Sequence, residues 1–205
     1  MKKKFKNLNV GVFISSEGFG HSVRQKTLIS EFIKLYPNSK FTIFNHKRLS
    51  FLKEFFGNEI NFISFPDTLS TVKKKNGELD LRKTKEILKT WPQNSKKNVD
   101  FLVSRRFNFN LIISDLVPEA FRFAKIKNIP SFGLARFTWD WFFYNSKLRN
   151  LETLPLISKD LKLANKIYFP SFTKDKILSN HFTLTKKTNL ILNKKTFKEN
   201  TFEFS

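Results

Sequence analysis

The sequence predicts one α/β domain built on a mostly parallel sheet flanked by helices, and three observations carry that expectation. Near-continuous apolar runs of strand length recur along the chain, among them Val10-Gly11-Val12-Phe13-Ile14 and Leu111-Ile112-Ile113, as expected of strands buried on both faces. Between them lie stretches whose apolar residues recur at helical spacing. The first run is followed by Gly18-Phe19-Gly20-His21, a glycine turn that brings backbone and a histidine to the sheet edge where open α/β sheets hold ligands.

At 205 residues, 40% hydrophobic and 16% aromatic, the chain can bury one sizeable core and is too short for two complete domains. The first strand spans 10–14, and a helix over 22–36 buries Leu28, Ile29, Phe32 and Ile33 until Pro37-Asn38-Ser39 breaks it. A second strand, Lys40-Phe41-Thr42-Ile43-Phe44, ends at Asn45 and His46. Leu49, Leu52, Phe55 and Phe56 mark a short helix stopped by Gly57-Asn58, and a third strand runs over 60–65 to Pro66. The polar stretch 67–79, with Lys73-Lys74-Lys75-Asn76-Gly77, reads as a long loop at the His21 edge. Helical material follows in two pieces, 81–91 and 95–107, separated at Pro92.

Leu111-Ile112-Ile113-Ser114-Asp115 is the next strand, and Pro118 suits the first turn of a helix with an inward stripe of Val117, Ala120, Phe121 and Ala124. Asn128-Ile129-Pro130 closes it before the strand 131–135. The aromatic segment 136–144, a helix over 154–163 and a last strand 166–169 complete the series. Strands alternating with helices at this spacing give a single Rossmann-like domain with right-handed crossovers. The domain is expected over 1–193, with a polar, poorly ordered tail over 194–205.

The formal charge of +21 favours contact with a polyanion or an anionic membrane surface. Abundant Lys, Asn, Phe and Ile also suit an AT-rich coding sequence, which would put part of that charge on solvated faces. No arginine-rich stripe or nucleic-acid module accompanies it, which argues against a specific nucleic-acid partner. With no cysteine and three dispersed histidines, disulfides and a structural zinc site are not expected. Met1 to Lys6 carries four lysines but no apolar segment follows, and no run approaches the ~18 apolar residues of a membrane span. The expectation is a cytoplasmic protein, soluble or peripherally attached.

His21 and Asp115 each follow a parallel strand, so their side chains reach one crevice. A histidine accepts a hydroxyl proton near neutral pH, and a carboxylate behind it orients the ring. Helix capping accounts for the two residues equally well. Arg24 either faces an anion near the helix start or lies on the solvated surface. His46 reads as a loop histidine, and His181 suggests no role.

Gly18-Phe19-Gly20-His21-Ser22-Val23-Arg24 resembles the G-x-G-H-x-x-R segment of many GT-B glycosyltransferases of the UDP-glycosyltransferase kind. Ile113-Ser114-Asp115-Leu116-Val117-Pro118 with Asn128-Ile129-Pro130-Ser131 resembles their later strand–helix–strand unit. Phe137-Thr138-Trp139-Asp140-Trp141 is similar to the F-[ST]-W-D-W run of glycosyltransferase-like domains fused to some sugar kinases. The resemblance implies the N-terminal, acceptor-side half of a GT-B fold, with His21 as general base on an acceptor hydroxyl and Asp115 orienting it. It implies no cofactor beyond a nucleotide-sugar donor as co-substrate, and a sugar or lipid-linked acceptor.

Gly18, Gly20 and Arg24 would then contact substrate. Trp139 and Asp140, with Trp141, would line the acceptor pocket by stacking and hydroxyl binding; the alternative is a hydrophobic cluster, which is the better reading for Phe142 and Phe143. The chain stops at Ser205, where the linker to a donor-binding domain would begin. Transfer is therefore expected to need a second, donor-binding subunit or domain. The competing expectations are a non-catalytic interaction module or truncated remnant, peripheral at an anionic membrane, and a basic domain held on polyanions.

Overall fold

The structure, a computed structural model, describes residues 7–57, 60–170 and 185–188. Its strands are β1 (Asn9–Ile14), β2 (Lys40–Asn45), β3 (Asn61–Ser64), β4 (Leu111–Asp115), β5 (Ser131–Leu134), β6 (Lys166–Pro170) and β7 (Thr185–Thr188). Its helices are α1 (Phe19–Leu35), α2 (Leu49–Phe56), α3 (Leu81–Ser104), α4 (Pro118–Ile126), α5 (Trp139–Tyr144) and α6 (Thr153–Leu161). The strands form one sheet in the order β3-β2-β1-β4-β5-β6-β7, every neighbouring pair parallel. The chain thus begins mid-sheet, builds to one edge, and crosses back over β1 to build the other side. The reversal falls between β1 and β4, whose register sets Ile14 opposite Asp115. The topology therefore opens a crevice beside these two carboxyl ends.

Both faces of the sheet are covered. Val10, Val12 and Ile14 pack with Ile29 of α1 and Leu52 of α2, whereas Phe13 points the other way, among Leu102 of α3 and Phe123 of α4. Much of the phenylalanine content serves that second face. Phe13 stacks on Phe44 at 4.2 Å between centroids, with Phe65, Phe107 and Phe109 edge-on to Phe44. Each such pair contributes about 0.5–1.5 kcal/mol beyond its area. A third cluster, including Trp91, Phe121, Trp139, Phe143, Leu154 and Ile157, holds α5 and α6 against α3 and α4.

The structure corrects several sequence expectations. Pro92 does not divide the helical stretch: α3 runs through it. A proline inside a helix costs about 3 kcal/mol, but Thr84, Leu88, Trp91, Ser95, Val99 and Leu102 form one buried stripe across the site. Burying its large apolar members, at about 1.5–3 kcal/mol each, outweighs the break.

Helix α1 begins at Phe19 rather than Ser22, because Gly18 adopts φ 118 and turns the chain directly into the helix. His21 therefore sits in the first turn of α1 rather than ahead of it. The sequence gives no hint of β7, whose Thr185-Lys186-Lys187-Thr188 has no apolar alternation and is placed by backbone pairing with β6. The long loop after β3 is as expected, with one antiparallel bridge between Lys73 and Leu79. His181, the domain limit at 193 and the 194–205 tail lie outside the described residues.

Candidate active site

Asp115 ends β4 and is fully buried. Its carboxylate is filled from one helix. His21 Nδ1 lies 2.8 Å from Oδ1, an Arg24 guanidinium nitrogen lies 2.7 Å from each oxygen, and Gln25 Nε2 donates to Oδ2 at 3.1 Å. Residues 21, 24 and 25 share a face of α1 because residues three and four apart on a helix are neighbours. Asp115 can only accept, so Nδ1 of His21 carries the ring proton of the neutral imidazole. The 3.2 Å approach of Arg24 to that same Nδ1 is then a meeting of two donors, not a hydrogen bond. Nε2 is left with its lone pair as the nitrogen available to a ligand.

Burial pushes the Asp115 carboxyl upward, but the charge of Arg24 and the hydrogen bonds from His21 and Arg24 outweigh it. The group is held below its ordinary value. Immediately after it, Leu116 adopts φ 62, a left-handed conformation that an L side chain enters only under constraint. Ser114 Oγ accepts from the Val117 amide at 3.1 Å, and the Trp139 indole donates to the Leu116 carbonyl at 2.9 Å. This places Trp139 in the core, behind the turn that presents Asp115. Asp140 is also fully buried; it accepts from the Trp141 amide at 2.8 Å and from Ser158 Oγ at 2.6 Å, tying α5 to α6. Neither residue lines the crevice, contrary to the pocket role expected of them; an aromatic residue after a strand end packs wherever the helix turns it.

The crevice is a cleft of about 480 Å³ lined by Glu17, Gly20, His21, Arg24, Arg136, Phe137 and Trp141. Gly20 has open space where a Cβ would stand, so its glycine is not demanded by a packed neighbour. Gly18 earns its place through its positive φ and is not part of the lining. Arg24 is neither a solvated surface residue nor aimed at a free anion: it lies between Asp115 and the cleft. His46 is exposed, faces Ser64 at 3.2 Å and is not part of the lining. The missed members are Glu17, Gln25 and Arg136. Gln25 had a signal, a polar residue at the fourth position after His21 on the face of α1 that meets the sheet.

The loop after β3 packs on the rim. Asp67 accepts from the Ser16 amide at 3.2 Å, and Thr71 donates its amide, at 3.2 Å, and its hydroxyl to Glu17. Thr68 donates to Glu119, which is buried in the first turn of α4. Burial raises the Glu119 carboxyl above its ordinary value, against the Thr68 hydrogen bond. Stability from its protonated form is therefore full below the unfolded value and is lost as pH rises through the folded one. Glu119→Gln keeps an acceptor for Thr68 and removes that loss. Urea midpoints measured between about pH 4 and 8 should show the variant gaining on the wild type as pH rises. Among the described residues, no three His, Asp or Glu side chains are grouped to hold a metal ion, and no helix is long and apolar enough to cross a membrane.

No protein-family model matches this sequence, and no curated protein matches it. Solved structures do match its fold. UGT89C1 from Arabidopsis thaliana, complexed with UDP-L-rhamnose, superposes with TM-score 0.59 at 14% identity over 93% of this chain and 54% of its own. A UDP-glucosyltransferase from Polygonum tinctorium capable of glucosylating indoxyl gives 0.56 at 15%, covering 91% and 53%. A UDP-glucose:anthocyanidin 3-O-glucosyltransferase in complex with UDP gives 0.54 at 15%, covering 92% and 53%. The chain spans about half the length of these enzymes, and its fold is that of one Rossmann-like half of a GT-B glycosyltransferase.

Proposed function

We propose that this chain is the acceptor-binding half of a glycosyltransferase that moves a sugar from a nucleotide-sugar donor to an acceptor hydroxyl. The observation that carries the reading is the buried Asp115 carboxylate bonded to His21 Nδ1, with the ring's other nitrogen available on the cleft side. In the reaction, Nε2 takes the acceptor hydroxyl proton as the oxygen bonds to the anomeric carbon. The bond from that carbon to the donor phosphate breaks, and the nucleoside diphosphate leaves with its electron pair. Asp115 stabilises the imidazolium that forms. Gly20, in the first turn of α1, and Arg136 border the space where substrate enters. The donor is the co-substrate, and its binding falls to the other half of the fold, on the same polypeptide or a partner. The test is nucleoside diphosphate release from UDP-glucose: this half alone should give little, and addition of a donor-binding half should restore it. Full turnover by the half alone would overturn the reading.

A second reading, peripheral contact with an anionic membrane, is favoured by one surface. Phe19, Val23 and Phe55 are exposed on α1 and α2, Arg48 lies over the Phe19 ring and Lys26 over the Phe55 ring. Exposed aromatic rings beside cations suit a lipid interface. Cosedimentation with vesicles containing anionic lipid should exceed that with neutral vesicles, and Phe19→Ser with Phe55→Ser should abolish it.

A further inference from the structure

Trp141 is a wall shared by two cavities. On one side is the His21 cleft; on the other is a larger cavity of about 860 Å³ that also meets Tyr144, Asn145, Lys159, Lys162 and Leu163. Trp141 and Tyr144 lie three residues apart on α5, so their rings follow one another along one helix face. The smaller cleft holds a carboxylate, Glu17, fixed by the Thr71 amide and hydroxyl, together with Arg136. Both cavities thus combine aromatic surface with charged and amide groups. A lipid tail would strand those charges, and a flat aromatic acceptor would cover Trp141 without the several ring hydroxyls that a carboxylate, an amide and ammonium groups together can take. A pyranose ring answers both: its C–H face covers an aromatic ring while its hydroxyls reach carboxylate, amide and ammonium groups.

We infer that the acceptor is a carbohydrate chain of more than one ring, its terminal ring between His21 and Glu17 and its next rings across Trp141 onto Tyr144. This rests on the acceptor-half reading above. The two aromatic platforms set the direction of the chain, and Asn145, Lys159 and Lys162 border its outer end. Glu17, which bears no part of the proton transfer, acts as the specificity-determining residue for the ring that reacts.

The test is saturation-transfer NMR on this chain, at raised salt to screen its general basicity, with maltotriose, cellotriose and N,N′,N″-triacetylchitotriose, their monosaccharide units, and quercetin. One trisaccharide should bind about tenfold tighter than its monosaccharide. Tyr144→Ala should weaken that trisaccharide and leave the monosaccharide unchanged, whereas Glu17→Gln should weaken both. Circular dichroism of each variant confirms that it is folded. Silence from all three trisaccharides, equal binding of one and three rings, or binding of quercetin in place of sugar would overturn the inference. Binding is read without turnover, so the two readings fail separately. His21-dependent transfer to a non-sugar would sink this inference alone. Trisaccharide binding without transfer in the completed enzyme would sink the catalytic reading alone.

Discussion

Asp115→Ala should cost the fold about 3–5 kcal/mol, read as a lower urea midpoint at neutral pH. The size follows from what the carboxylate holds. It is fully buried, and its removal strands the Arg24 guanidinium, itself only 12% exposed, as an uncompensated charge beside His21. Gln25 loses its acceptor as well. Asp115→Asn restores the shape but not the charge and should recover only part of the loss. In a double-mutant cycle, Arg24→Met with Asp115→Leu should cost less than the two single changes added, because the pair removes both charges together. The acid limb has a definite sign. The folded Asp115 value is held below the ordinary one, so its contribution is present above the unfolded value and is lost as pH falls through the folded value. Asp115→Asn should flatten that part of the stability curve.

His21→Ala should behave oppositely, leaving a folded protein whose transfer, once a donor-binding half completes it, falls by about 10²–10⁴-fold. The imidazole contributes one hydrogen bond to Asp115, and Arg24 still neutralises the carboxylate on both oxygens. The stability cost is therefore about 1.5–3 kcal/mol, that of one charged hydrogen bond. Nε2 is the base in the proposed step, so kcat should fall while KM for the acceptor stays near its original value. Nucleoside diphosphate release under saturating donor measures both. A variant with unchanged kcat would remove His21 from the chemistry while leaving the fold assignment intact.

The central strands were legible because β1, β2 and β4 are apolar on both faces, a pattern few other structures use. The His21–Asp115 juxtaposition was legible through topology: His21 follows β1, Asp115 ends β4, and these two parallel strands are neighbours. Arg24 was not, since periodicity cannot tell an arginine facing a buried carboxylate from one facing water. Trp139 and Asp140 were misplaced for a related reason. The sequence marks an aromatic turn after β5, but only the rotation of α5 decides that Trp139 and Asp140 point inward and Trp141 into the cleft. Pro92 shows local chemistry overruled by packing, because the buried stripe of α3 is continuous across it.

The attachment of α1 to the sheet through Asp115 has an evolutionary consequence. His21, Arg24 and Gln25 all reach that one carboxylate, so the aspartate supports the fold whether or not any reaction occurs. Among relatives lacking the proposed transfer, Asp115, Arg24 and Gln25 would be expected to persist while position 21 varied. If His21 is the base proposed above, histidine at position 21, rather than the carboxylate beneath it, is the character that would tell active relatives of this chain from inactive ones.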